Sequence, residues 1–255
     1  MDCTDREGPI TRSMPDDLST ARRAGHAVAR WTICLLLACL ALEVATLASG
    51  FSYRGLLPRL AAGVTLLPHE AAAIAARDRV IGVLKLVAFT GAGIAWLAWL
   101  HRTYGNLVLV GSKRARFTRS WALAYWFIPL VNLVRSFQVM KDLWLRSDSL
   151  NDRDAYDSLP APAFLTGWWG MSLTWAALGR LVTFMERDAR TPLELINATD
   201  MGMLVNAIGL VAVVLAIKVV REIDRRQQCF ELSPAPHPGA PTQGGARASA
   251  GPQTH

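Results

Sequence analysis

The chain reads as an all-α integral membrane protein, four transmembrane helices plus one re-entrant or interfacial amphipathic segment, and three observations predict it. Hydrophobic residues make up 52% of the 255 positions and charged residues only 18%, and the mean hydropathy is +0.25; that balance is too apolar for an ordinary soluble domain. The apolar residues are also gathered into blocks. Four of these, residues 28–48, 80–100, 164–185 and 201–220, approach or exceed the roughly 20 residues that cross about 30 Å of hydrocarbon at about 1.5 Å per residue. A fifth stretch, 121–146, begins membrane-grade and turns amphipathic at Pro129.

Residues 1–27 form a polar, charged tail, mobile as far as about Arg22. The block that follows is too long for the core of a cleaved signal and reads as a retained anchor. The first connection, 49–79, carries Pro58 and Pro68 and then an alanine-rich piece with Glu70 in its first turn and Arg77 and Arg79 in its last. Charges so placed complement a helix dipole, and a short helix is expected to lead into the second span. That span closes with Trp96 and Trp99 at interface depth, Arg102 just outside, and Gly105-Asn106 as its stop. A basic run, 112–119, precedes the fifth stretch and an acidic, turn-rich one, 147–162, follows it. Trp168 and Trp169 open the third span at interface depth, and the fourth runs on as a helix into water. Residues 227–255, rich in proline, glycine and alanine, cannot bury a core and read as disordered.

Within 121–146, Ala122 to Ile128 carry no charge, whereas Asn132, Arg135, Gln138, Lys141 and Asp142 follow the proline. Val134, Phe137, Met140 and Trp144 recur at helical spacing and share one face. The expected arrangement is a partial insertion that turns back near Pro129, then a helix lying flat with Arg135 and Lys141 toward anionic headgroups. A full crossing would carry Arg135 through the bilayer, at about 2.5 to 3.5 kcal/mol for a charge near a helix centre.

The distribution of basic residues orients the chain. With four spans, one side receives the tails and the middle connection with Arg102, Lys113, Arg114, Arg116, Arg119, Arg135, Lys141, Arg146 and Arg153; the other receives Arg54, Arg59, Arg77, Arg79, Arg187 and Arg190. The positive-inside rule then puts both termini in the cytoplasm of a multi-pass protein of the cell membrane.

A motif follows in which two residues separate Trp99 from Arg102 and three separate Arg102 from Asn106, then a basic loop, then Trp126-Phe-Ile-Pro129-Leu-Val-Asn132-Leu and an Asp142-Leu-Trp144 ending. This pattern, over roughly residues 35–223, resembles the bacterial membrane family catalogued as domain of unknown function 4328. The family pattern has a proline a few residues after the asparagine, where this chain has Arg135 and Ser136. The resemblance implies a multi-span bacterial membrane protein and no particular activity.

Two sets of residues are candidates for chemistry. Glu43, Lys85, Arg180 and Asn206 each lie five residues inside the outer end of a span, so all four sit at about 7 to 8 Å depth. They form either one intramembrane polar layer with a Glu43 ion pair to Lys85 or Arg180, or snorkelling side chains at the outer surface. The inner-boundary motif comprises Trp99, Arg102, Asn106, Trp126, Pro129 and Asn132; within it Arg102, Asn106 and Asn132, with Arg135, either form a site for a lipid phosphate or another anionic headgroup, or Arg102 serves as anchor, Asn106 as helix cap and Asn132 as partner for backbone groups freed at Pro129.

The net charge of +7 flanks hydrophobic blocks and so suits membrane lipid, the anionic inner-leaflet headgroups, rather than nucleic acid. Cys3, Cys34, Cys39 and Cys229 form no metal or disulfide pattern, the five histidines lack ligand spacing, and no nucleophile, metal or phosphate-loop motif stands out. The reading is a non-enzymatic membrane protein without cofactor, associating with lipid or other membrane proteins. A small transporter or channel component using the polar layer is the alternative.

Overall fold

Each helix start is written in local chemistry. The computed structural model describes residues 16–63, 67–109, 117–147 and 160–231, and these form α1 (Asp16–Ala61), α2 (Pro68–Leu109), α3 (Arg119–Ala124), α4 (Pro129–Arg146), α5 (Ala163–Asp188) and α6 (Pro192–Glu231). Pro68, Pro129 and Pro192 occupy first helical positions, where no backbone donor is needed. Leu67 N–H donates to Glu70 Oε2 at 3.2 Å at the start of α2. At α6, Thr191 and Glu194 cap each other reciprocally, Glu194 N–H to Thr191 Oγ1 at 3.2 Å and Thr191 N–H to Glu194 Oε2 at 3.2 Å.

Three helices contain segments long and apolar enough to cross a membrane, His26–Arg59, Pro68–Gly105 and Leu193–Gln228. α5 has the length, 26 residues, but Trp168, Trp169, Trp175 and Arg180 dilute its apolar run. The helices exceed the apolar blocks at both ends. Residues 49–61 of the expected connection are the end of α1, through Pro58, and the expected leader helix is continuous with α2. Hydropathy marks a membrane crossing, not where helical hydrogen bonding stops. α1 ends in a turn with Gly63 at φ +83°, a conformation glycine adopts without steric cost. α2 also runs past Gly105-Asn106 to Leu109, so that pair is not the helix stop; the apolar Leu107-Val108-Leu109 carries the helix on.

The four long helices pack antiparallel to their neighbours. α1 meets α2 from Thr32, whose hydroxyl donates to Ala95 O at 3.1 Å, to Ser49, whose hydroxyl donates to Asp78 at 2.6 Å. α1 meets α6 from His26 against Asp224 to Arg54 against Asp200. On the α5–α6 seam, a Cβ at Gly167, Gly179 or Gly202 would touch Leu215, Val205 or Val182; small residues here let the backbones approach, as packing within lipid requires. Rings join α2 to α5, Phe89 to Trp175 at 5.7 Å and Trp96 to Trp168 at 5.2 Å between centroids.

α3 and α4 make a hairpin against one end of this bundle, the end carrying Asp16 of α1 and Glu231 of α6. Its tip, 125–128, reaches Trp96 through Trp126 at 6.0 Å. Its far end is tied where Tyr104 OH donates to Asp142 Oδ2 at 2.9 Å. The densest packing lies here, with Trp99, Leu100, Tyr104, Met140, Leu143 and Ile223 all fully buried.

Candidate functional site

The structure brings three of the four polar-layer residues together. Lys85 Nζ lies 2.9 Å from Glu43 Oε2 and 3.1 Å from Asn206 Oδ1, so α1, α2 and α6 each supply one group. Glu43 is 4% exposed. Burying the Glu43 carboxylate costs several kcal/mol, offset because it is paired with the partly buried Lys85, which also has a second acceptor. Arg180 is exposed and stands apart from the three. The cause is helical phase: Gly179 and Val182 face α6, and Arg180, about 100° round from Gly179, leaves that seam.

Two further residues complete the layer. A Cβ on Gly209 would stand 2.7 Å from Trp175 Nε1, 2.9 Å from Trp175 Cδ1 and 3.6 Å from the Glu43 carboxyl carbon. Only glycine leaves room for the indole to lie across α6 beside Glu43. Depth arguments see charged residues and miss this pair; a glycine in an apolar helix was the available signal.

At the hairpin end, Tyr104 OH also accepts Phe117 N–H at 3.3 Å, and Arg146 pairs with Asp142 one turn away. Trp99 is buried, as are Trp96 and Trp168. With Trp126 and Trp169 they form a chain of rings at 5.2 to 6.0 Å between centroids. These tryptophans therefore join the bundle to its hairpin. Arg102 is half-buried and the side chain of Asn106 lies outside the described residues. Pro129 opens α4. Asn132 Oδ1 is buried with no partner among the described residues. Arg135 donates to Gln138 Oε1 at 2.9 Å on the surface, and Lys141 is half-buried.

The apolar face of α4 divides. Val139, Met140 and Leu143 are fully buried, whereas Leu130 is 82%, Leu133 47% and Val134 57% exposed, next to Phe127 at 72%. The second half therefore packs on protein, not in an acyl layer. From Leu133 to Trp144 the helix rises about 16 Å. Its contacts on α5 move from Trp169 to Phe164, about 8 Å along that helix.

The two ends of the bundle differ in charge. Toward the end away from the hairpin, the seven cations Arg54, Arg59, Arg77, Arg79, Arg180, Arg187 and Arg190 meet the six acids Glu70, Asp78, Glu186, Asp188, Glu194 and Asp200, a near balance. At the hairpin end the described acidic side chains are Asp142, Glu222 and Asp224, and each has a basic partner: Arg146, the Arg225–Arg226 pair and His26 respectively. Arg30, Arg102, Arg135, Lys141, Lys218 and Arg221 remain beyond them. Among the described residues, no cluster of His, Cys, Asp or Glu is suited to a metal ion.

Three helices long and apolar enough to cross a membrane, with an ion pair between α1 and α2, are the marks of a helical membrane protein. The chain belongs to the family described as domain of unknown function (DUF4328), which matches residues 62–225. The match begins past α1, later than the 35–223 read from motifs, so Glu43 lies outside it while Lys85 and Asn206 lie within. No curated protein and no solved structure matches the chain.

Proposed function

We propose that this is a non-enzymatic four-span protein of the bacterial cell membrane, termini cytoplasmic, that gathers anionic lipid of the inner leaflet at its hairpin end. α5 is the fourth span: it lies antiparallel to α6 along the same seam, and Arg180, exposed near the charge-balanced end, snorkels to the outer headgroups. The α3–α4 hairpin is the re-entrant element. Phe127, Ile128 and Leu130 at its tip enter the acyl region, and the backbone N–H groups of Tyr125, Trp126 and Phe127 are bonded within the turn to Trp121, Leu123 and Ala124 carbonyls.

The carrying observation is the excess of cations at one end against near balance at the other. Each basic residue near anionic lipid contributes on the order of 1 kcal/mol, screened by salt. Chain solubilised from native membranes should retain phosphatidylglycerol or cardiolipin over phosphatidylethanolamine by mass spectrometry. Changing Lys141, Lys218 and Arg221 together to glutamine should cut that enrichment about tenfold or more. Unselective retention by the unaltered chain would overturn the reading. Docking of other membrane proteins on the same end is compatible with it.

A second reading, solute passage through the Glu43–Lys85–Asn206 layer, is favoured by the cost of keeping an ion pair in an apolar bundle. Flux across proteoliposomes that is lost in Lys85→Met while the fold persists would support it; equal flux would remove it.

A further inference from the structure

The Glu43–Lys85 pair is lopsided. The glutamate side chain is 6% exposed and the lysine 28%, so one partner is enclosed and the other is reachable. Gly82, one turn from Lys85 toward the end away from the hairpin, has open space where a side chain would stand. Donors also outnumber acceptors here. Lys85 Nζ carries three protons and gives two of them, to Glu43 Oε2 and Asn206 Oδ1. The amide nitrogen of Asn206 and the indole nitrogen of Trp175 donate to nothing among the described residues, and neither is enclosed. Trp175 Nε1 and the Glu43 carboxyl carbon flank one point, 2.7 and 3.6 Å from where a Cβ of Gly209 would stand, and Gly209 shares a face of α6 with Asn206.

Few other charges bear on the pair. On α1 the buried thiol of Cys39 lies one turn from Glu43. The next charges along the same helices are Asp78 and Arg79 on α2, Asp200 on α6, which is paired with Arg54 of α1, and the exposed Arg180 on α5. All four stand more than one turn from the layer. Glu43 and Lys85 therefore set its charge, and that charge is zero.

Lys85 already holds a carboxylate, so a second carboxylate, arriving from the reachable side, suits the same bond in kind. Were Glu43 to stay ionised, the exchange would strand one buried carboxylate beside another, which is costly. Of two carboxylates sharing one ammonium, one takes a proton. Glu43 is the enclosed one and gives up the bond, so the proton, drawn from water, goes to it. The layer then holds a neutral Glu43, the Lys85 ammonium and the incoming anion, and its net charge is again zero. The rings of Phe89 and Trp175, 5.7 Å apart between centroids, stand beside the layer and suit an apolar tail.

We propose that the notch at Lys85 binds a small monocarboxylate with an apolar tail, and that each one bound is accompanied by one proton, taken up by Glu43. The ligand's carboxylate replaces that of Glu43 on Lys85 Nζ, with the Asn206 amide and the Trp175 indole as further donors. This names a solute for the passage reading above and rests on that reading only for movement across the bilayer. Binding without flux would remove passage and leave the site.

Benzoate is the probe, titrated by calorimetry into the full chain in detergent. Between about pH 6 and 8 benzoate is itself ionised, so any proton taken up is the protein's. Where Glu43 starts ionised, affinity should fall about tenfold per pH unit, with about one proton taken up per benzoate, read from how the heat varies with the ionisation enthalpy of the buffer. Glu43→Gln has no proton to gain and should bind benzoate without pH dependence and without proton uptake. Lys85→Met should bind at least about tenfold more weakly, and so should benzamide, the uncharged isostere, on the unaltered chain. Binding that survives Lys85→Met would belong to the cationic end, and benzamide binding equal to benzoate would belong to the rings alone; either would overturn the site. Should a variant fail to fold, the unaltered chain decides: no benzoate binding, or binding without proton uptake, overturns the proposal.

Discussion

Lys85 has two acceptors and Glu43 is almost wholly enclosed, so removing either charge strands the other in an apolar bundle. Lys85→Met or Glu43→Leu alone should destabilise the protein by about 3 to 5 kcal/mol, and the double replacement should be near neutral. A double-mutant cycle on thermal unfolding in detergent measures the coupling, and additive losses would show that the pair is not one unit. Gly209→Ala should also destabilise, by about 1 to 3 kcal/mol, because the new methyl meets the Trp175 ring, which has no flexible end to move. An altered tryptophan emission spectrum should accompany it. The depth of Glu43, Lys85 and Asn206 was legible because a rise of about 1.5 Å per residue converts distance from a span end directly into height. Arg180 shares that height and not the cluster. Its phase about the α5 axis depends on which face meets α6, and glycines rather than charges decide that face.

Hairpin elements were legible where backbone chemistry dictates them. Pro129 begins α4 after an extended Ile128, so the chain turns back where the proline predicted. The destination of the α4 face was not legible, because an apolar stripe is the same sequence whether it meets lipid or protein. Val139, Met140 and Leu143 meet protein; Leu130, Leu133 and Val134 do not. The anchor is Tyr104, whose hydroxyl serves both Asp142 and Phe117 N–H. Tyr104→Phe should cost about 1.5 to 3 kcal/mol, since the lost bond goes to a buried carboxylate. The loss should be local. Single cysteines at Val139 and Met140, protected in the unaltered chain, should become reactive toward a water-soluble thiol reagent, while one at Ala212 in α6 stays protected. Equal protection in both backgrounds would mean that the ring packing holds the hairpin without Tyr104.

For the whole molecule, parity follows from packing. α1 is antiparallel to α2 and to α6, and α5 is antiparallel to α6, so the start of α1 and the end of α6 share one end of the bundle whether or not a membrane surrounds it. The sequence blocks conveyed this much, since an even number of long helices returns the chain to its starting side. They did not show that the helices run past the apolar blocks, because helical hydrogen bonding through 49–61 leaves no mark in the hydropathy. The side taken by the shared end is a matter of charge. Translocating the hairpin end would carry Arg102, Arg135, Lys141, Arg146 and the arginines near the end of α6 across the membrane, whereas the opposite end is nearly balanced and offers little retention. Reporter fusions after Arg226 and within 191–198 should therefore report opposite sides, with Arg226 cytoplasmic. If both report the same side, α6 does not cross, although its apolar run is the strongest in the chain. If the sides are opposite but reversed, basic residues do not set the orientation. Charge balance then offers a direct handle: replacing Glu186, Asp188 and Glu194 with lysine makes the outer end cationic and should yield a mixed population of orientations. A population that stays uniform would show that packing of α1 against α6, rather than charge at the membrane surface, fixes the topology.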